Sequence, residues 1–159
     1  MSIEKVREYF KLYGKDGDIR EFAESSATVE LAAHAVGVIP ARIAKSMSFL
    51  TRVGPMILVL AGDARIDNKK YKSVFGEKAK MLSPEDALAF TGHAVGGVCP
   101  FALPENVRVF LDVSLRRFPT VFPACGSSNS AIELTCGELE TLSRSLGWVD
   151  VANSWDPTL

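Results

Sequence analysis

The stretch Thr91-Gly92-His93-Ala94-Val95-Gly96-Gly97-Val98-Cys99-Pro100-Phe101 places three glycines, a histidine, a cysteine and a proline within eleven residues. Glycine lets a small ligand lie against bare backbone and leaves N–H donors for a carboxylate, phosphate or ester oxygen. The same glycines would also serve a tight structural turn, and this stretch alone leaves both readings open. Other reactive types are sparse. His34 and His93 are the two histidines, and neither has an acid or a nucleophile at a spacing that marks a catalytic dyad. Cys99 before Pro100 could be a nucleophile, but its neighbours Val98 and Phe101 favour a buried, inert thiol. Lys45 shares the odd-numbered, apolar side of a strand-like segment with Ile43, Met47 and Phe49. It either reaches out at an edge or is held in a cavity for a ligand. The absence of Gly-x-Ser-x-Gly, of a phosphate loop and of clustered carboxylates argues against ordinary hydrolase, nucleotide-binding and two-metal chemistry.

The elements that must position these residues fit one domain of 159 residues, with 47% apolar and 23% charged residues. A net charge of -1 provides no global basic field, so any nucleic-acid contact has to be local. Three cysteines without a Cys-x-x-Cys pair indicate neither a disulfide framework nor a zinc knuckle. The N-terminus lacks an apolar signal core, and the longest apolar run, 55–61, is too short to cross a bilayer. Cytoplasm is the default expectation.

Along the chain, Ile3, Val6, Tyr9, Phe10 and Tyr13 predict an amphipathic first helix ending at Gly14, followed by a short strand at 19–22. Thr28 caps a second helix that Gly37 closes. A strand over 40–50 and the apolar run 55–61 predict an antiparallel hairpin through Arg52-Val53-Gly54-Pro55. Asp67 caps a short basic helix whose lysines are either a solvated face or a surface for RNA phosphates. Ser83-Pro84-Glu85-Asp86 starts a helix that stops at Gly92. Strands are expected at 107–113, 120–122 and 131–134, with a loop of small polar residues at 124–130. Thr135-x-x-Glu138 opens a last helix through Leu139, Leu142 and Leu146 to Gly147.

The chain order Lys45, Gly96-Gly97, Gly126-Ser127 carries more information than any single piece. Glu30 with Ala32-Ala33, the spacing through Gly37 to Ile43-Ala44-Lys45-Ser46, the segment 58–63, Thr91-Gly92 through Phe101, and Ala124-Cys125-Gly126-Ser127 together resemble the YbaK/EbsC family. That family includes free-standing aminoacyl-tRNA deacylases and the editing domain inserted in bacterial prolyl-tRNA synthetase. The resemblance spans about residues 20–150. It implies an α+β (mixed α/β) fold with a curved, largely antiparallel, barrel-like sheet and flanking helices, residues 1–152 forming one domain and 153–159 a flexible tail. It also implies hydrolysis, in trans, of the ester in mischarged Cys-tRNA or Ala-tRNA on proline tRNA, with neither metal nor cofactor. Lys45 would hold the terminal adenosine phosphate as a point charge, and Gly96 and Gly97 would offer N–H groups to the carbonyl or the oxyanion. Ser46, Thr91, Val98, Cys99, Pro100, Gly126 and Ser127 would contact the substrate. The expected partners are the aminoacyl-tRNA acceptor end and a synthetase, with no membrane and no DNA. Cys125 departs from the glycine common at that position, which puts the substrate amino acid in doubt, through a narrowed pocket or a changed approach of the second loop to the acceptor end. The competing expectations are a non-catalytic tRNA- or synthetase-binding module of the same fold and, behind it, a small-ligand regulator.

Overall fold

A computed structural model describes residues 2–159 of the protein. Its centre is the hairpin of β2 (Ile43–Thr51) and β3 (Gly54–Ala61), paired antiparallel from Ala44 opposite Ala61 to Thr51 opposite Gly54. The strand begins at Ile43 because Pro40–Arg42 forms a 3-10 turn, a place where a proline without an N–H is well tolerated. β3 reads as an unbroken apolar run because both its faces are covered; Met56 to Ala61 are fully buried.

β5 (Arg108–Asp112) lies parallel to β3, β6 (Phe122–Pro123) parallel to β2, and β8 (Trp148–Val149) parallel to β5, giving the order β6-β2-β3-β5-β8. The expected α+β class holds, and the sheet is open and mixed. Its longest pairing is antiparallel, while its other three are parallel, because the chain returns to the sheet through long crossings that only parallel neighbours require. Two antiparallel ribbons stand outside it, β1 (Arg20–Glu21) with β7 (Ser130–Ala131), and β4 (Arg65–Ile66) with β9 (Ala152–Asn153).

Helix α1 (Ser2–Lys11) buries Ile3, Val6 and Phe10, and the Phe10 ring meets Phe101 edge-on with centroids 4.8 Å apart. The sequence's capping signals are realised. Thr28 caps α2 (Val29–Val36), Asp67 caps α3 (Asn68–Phe75), and Ser83 caps α4 (Pro84–Thr91), each accepting from a first-turn N–H. The capping box of Thr135 and Glu138 opens α5 (Cys136–Leu142), but the helix is shorter than its leucine spacing predicts. Beyond Ser143 the backbone is claimed by β5 instead: Leu146 N–H donates to Val109 O at 2.8 Å and Leu111 N–H to Gly147 O at 3.1 Å. Past β9, Asp156 O accepts from Arg117 at 2.8 Å and the Trp155 ring lies 4.9 Å from the Arg117 guanidinium.

Candidate active site

A cavity of about 370 Å³ lies along the outer edge of β2. Its floor is β2 from Ile43 to Ser48, and its walls are the start of α2, Met81 and Leu82 with the start of α4, the glycine stretch at Val95, Gly96 and Val98, and the β6–β7 region. The opening arises from incomplete strand pairing. β6 covers β2 only at Ile43 and Ala44. At the other end, Leu82 N–H donates to Ser48 O at 3.0 Å and Leu50 N–H to Lys80 O at 2.8 Å. Between these two supports the edge is uncovered. The alternation of an antiparallel pair turns the N–H and C=O of Ser46 toward that gap, in phase with Ser48 and Leu50.

Lys45 lines the same gap, half-buried. Its Nζ donates to Ala64 O and, at 3.4 Å, to Gly62 O. An ammonium has three protons, so one remains for an anion or ester oxygen in the cavity. Burial pushes the Lys45 ammonium below its ordinary value; Asp63 opposes the shift, Arg65 adds to it and Glu30 opposes it. The turn that presents the two carbonyls is itself anchored. Arg117 grips Asp63 with two bonds of 2.6 and 2.9 Å and also donates to Ser114 O at 2.8 Å. Burial raises the Asp63 carboxyl, but the Arg117 guanidinium and the Asp156 N–H outweigh it, and the net shift is downward. The pair therefore stabilises the fold above the ordinary carboxylate range and loses that contribution as pH falls through the depressed value.

The glycine stretch divides its labour. Gly96 lines the cavity at φ 94°, and no described group accepts from the N–H of Gly96 or Val98. The Gly97 N–H donates to Ala94 O at 2.9 Å, so this amide closes a turn and does not face a ligand. Gly97 serves by its missing side chain: a Cβ would stand 2.9 Å from both N and Cα of Ser127. The two small-residue loops thus pack backbone to backbone, with Gly97 and Ser127 forming the contact behind the cavity wall. Gly126 backs onto α1, where its carbonyl accepts from the Ser2 hydroxyl, and the Ser127 hydroxyl is 2.9 Å from Asn129 Oδ1 and 2.8 Å from Ser130 Oγ.

Of the residues singled out in the sequence, Lys45, Ser46, Gly96 and Val98 meet at the cavity. Gly97, Gly126 and Ser127 shape it from behind. Thr91, Cys99 and Pro100 are buried supports; Thr91 Oγ1 donates to Ala87 O at 2.6 Å and accepts from His93 N–H at 3.1 Å. The Cys99 thiol is fully buried, which pushes its pKa up to about 12 and makes it a poor nucleophile. Cys125 is also buried in the core and does not reach the cavity, so it leaves the pocket unnarrowed. Met47, Met81, Leu82 and Phe122 also line the cavity, although nothing in their sequence pattern marks them for it. Their apolar types read as core, and only the interrupted strand edge exposes them to the site.

His93 is held inside the same support. Its Nε2 lies 2.8 Å from Phe101 O and 3.4 Å from Cys99 Sγ, and no described group partners its buried Nδ1. Burial lowers its pKa below the ordinary 6.5, the bond to Phe101 opposes this and Lys5 adds to it. A depressed histidine contributes stability above its unfolded pKa and loses it as pH falls. Urea midpoints measured from about pH 7 to about pH 5 are expected to decline, and to decline less in His93→Gln, which keeps a donor for Phe101 O. Equal slopes in the two proteins would remove His93 as the cause. Among the described residues, no three His, Cys, Asp or Glu side chains converge as a metal site would require, and no helix is long and apolar enough to cross a membrane.

Residues 23–142 match the sequence profile of the aminoacyl-tRNA editing domain. The chain belongs to the aminoacyl-tRNA editing domain family. The uncharacterized protein YwhH of Bacillus subtilis (strain 168) is 55% identical over 157 residues, covering 98% of this chain and all of that protein. EbsC of Enterococcus faecalis, a candidate Cys-tRNA(Pro)/Cys-tRNA(Cys) deacylase, is 28% identical over 118 residues, covering 72% of each chain. The crystal structure of a candidate trans-editing enzyme for prolyl tRNA synthetase superposes with a TM-score of 0.86 at 27% identity, over 96% of this chain and 97% of that one. The family resemblance carried by the order of Lys45 and the two glycine loops is borne out by these matches.

Proposed function

We propose that this editing-domain protein hydrolyses, in trans, the ester linking a wrong amino acid to the 3′ end of a tRNA, acting in the cytoplasm on Cys-tRNA or Ala-tRNA and foremost on proline tRNA. The observation that carries the reading is the gap in the β2 edge, where Lys45, Gly96 and Val98 line one largely apolar cavity and no described group accepts from the N–H of Gly96 or Val98. Lys45 is suited to hold the terminal phosphate, leaving the ester carbonyl beside Gly96. Water adds to the carbonyl carbon, the N–H donors stabilise the oxyanion, and collapse breaks the bond to the ribose oxygen, which leaves with a proton. The products are the free amino acid and uncharged tRNA. Placement of the ester and water in one walled space replaces a protein nucleophile, consistent with the inert Cys99 and the buried His93. Met47, Met81 and Phe122 present neutral walls that suit a small uncharged side chain. An aminoacyl-tRNA synthetase is the natural partner for delivering such a substrate.

A panel of Cys-, Ala-, Ser- and Pro-charged tRNAs tests the proposal. Release of cysteine or alanine from proline tRNA well above the uncatalysed rate, with Pro-tRNA spared, is the expected result. No release from any species would sink the catalytic reading in favour of a binding module.

A further inference from the structure

The proposed function assigns the cavity to the terminal nucleotide and its aminoacyl group, and a charge pattern beside it plays no part there. Between Arg65 and Lys80 the chain carries six of its 18 Lys and Arg residues against two acids, although its net charge is -1. Both acids are occupied. Asp67 accepts from the N–H groups of Lys69 and Lys70, and Glu77 pairs with Arg52. Lys70 is neutralised by Asp150 at 3.1 Å. Lys69, Lys72, Lys78 and Lys80 are exposed and have no ion pair or hydrogen-bond acceptor for their ammonium groups among the described residues.

Three of these, Lys69, Lys72 and Lys78, line one shallow depression of about 440 Å³ with Asn68 and Ala79. Folding gives no reason for this grouping. Lys69 and Lys72 stand three apart on α3, a like-charge spacing that weakens a helix. Lys72 in the last turn gains from the helix dipole, whereas Lys69 in the first turn opposes it. The depression also adjoins the active site. Ala79 lines the depression and Met81 lines the cavity, two residues apart on a segment held extended against β2. Two extended residues span about 7 Å, roughly one nucleotide step.

We propose that this lysine face binds the sugar-phosphate backbone of the RNA strand leading away from the active site. The inference rests on the reading of the substrate as a tRNA. Flexible ammonium point charges suit sequence-independent phosphate contacts, which fix orientation and register without reading bases. In a chain of net charge -1, a local cationic track is what directs a polyanion to one side of the cavity.

Fluorescence anisotropy with an uncharged acceptor-stem RNA hairpin tests the proposal, comparing the wild type with a Lys69→Gln/Lys72→Gln/Lys78→Gln variant across a sodium chloride series. The variant is expected to bind about tenfold more weakly at low salt, with the slope of log Kd against log salt reduced by about 2 to 3. A Lys5→Gln/Lys11→Gln control on α1 should match the wild type. The deacylation KM for charged tRNA should rise with kcat unchanged, and hydrolysis of an aminoacyl-adenosine that lacks the stem should not change. Absent hairpin binding by the wild type, or equal affinity and slope in the variant, overturns the proposal. Lysine-dependent binding without turnover of any charged tRNA would instead retain this face and reject the deacylase reading. Normal turnover with lysine-independent binding would do the reverse.

Discussion

Lys45→Ala is expected to reduce aminoacyl-tRNA hydrolysis by about 10²- to 10³-fold while leaving the melting temperature close to that of the wild type. Two protons of the side chain are directed at Ala64 O and Gly62 O, and under the proposed function the third is the cationic donor offered to substrate. Removing it deletes the positive charge from the site but no part of the apolar core, and water entering the vacated space can satisfy the two carbonyls. The lysine is held in a partly desolvated place that depresses its pKa, a placement that serves a ligand better than it serves folding. Lys45→Met, which keeps the aliphatic stem, should therefore melt at or above the wild-type temperature and be equally inactive. Lys45→Arg should also fail, because the longer, planar guanidinium cannot place its charge where the compact ammonium sits between the two carbonyls and the cavity. Single-turnover deacylation with thermal melting separates these outcomes. Activity in Lys45→Ala within twofold of the wild type would remove the lysine from the mechanism, and a collapse of the melting temperature would make its role structural.

The second large effect falls on Gly62, which touches no substrate. A Cβ at this position would stand 2.0 Å from Pro40 O and 2.7 Å from Val29 Cγ1, so the β3 turn and the 3-10 turn before β2 pass each other at a separation that excludes any side chain. Gly62→Ala must push these backbones apart, at a cost of about 3 kcal/mol, the upper end for overpacking. In a chain of this size that corresponds to a fall in melting temperature of about 6 to 12 °C. The displacement also moves Gly62 O and Ala64 O, the acceptors that aim Lys45, so deacylation should fall even below the melting transition. Calorimetry and an activity assay on Gly62→Ala check both parts. A variant that melts and turns over like the wild type would show that the turn can open without consequence, and would separate the function of Lys45 from its carbonyl anchor.

Much of the local structure was legible because its causes are local. Thr28, Asp67 and Ser83 each satisfy an N–H within their own first helical turn, and Gly37 and Gly92 adopt the left-handed conformation at the ends of α2 and α4. The β2–β3 hairpin follows from two apolar runs joined by a two-residue turn. Periodicity extends the last helix too far because Leu146 keeps helical spacing, while the competing partner, Val109 in β5, lies 37 positions earlier in the chain and leaves no mark on periodicity. The direction of β5, β6 and β8 was hidden for the same reason: residue alternation along a strand is indifferent to which way its neighbour runs.

The sequence by itself determined the residue types a site could use, the order of Lys45 and the two glycine loops, and through that order the family. It did not determine which of those residues face the ligand. Gly96 and Gly97 are chemically identical neighbours, yet one lines the cavity and the other closes a turn against Ser127, a division set by where a distant loop packs. Met81 and Phe122 look like core until the edge of β2 is seen to be covered at its two ends and bare at Ser46. Caps and turns are fixed by energies between residues a few positions apart, whereas a cavity is the space left when elements remote in sequence fail to meet. Only the packed chain decides where that space falls.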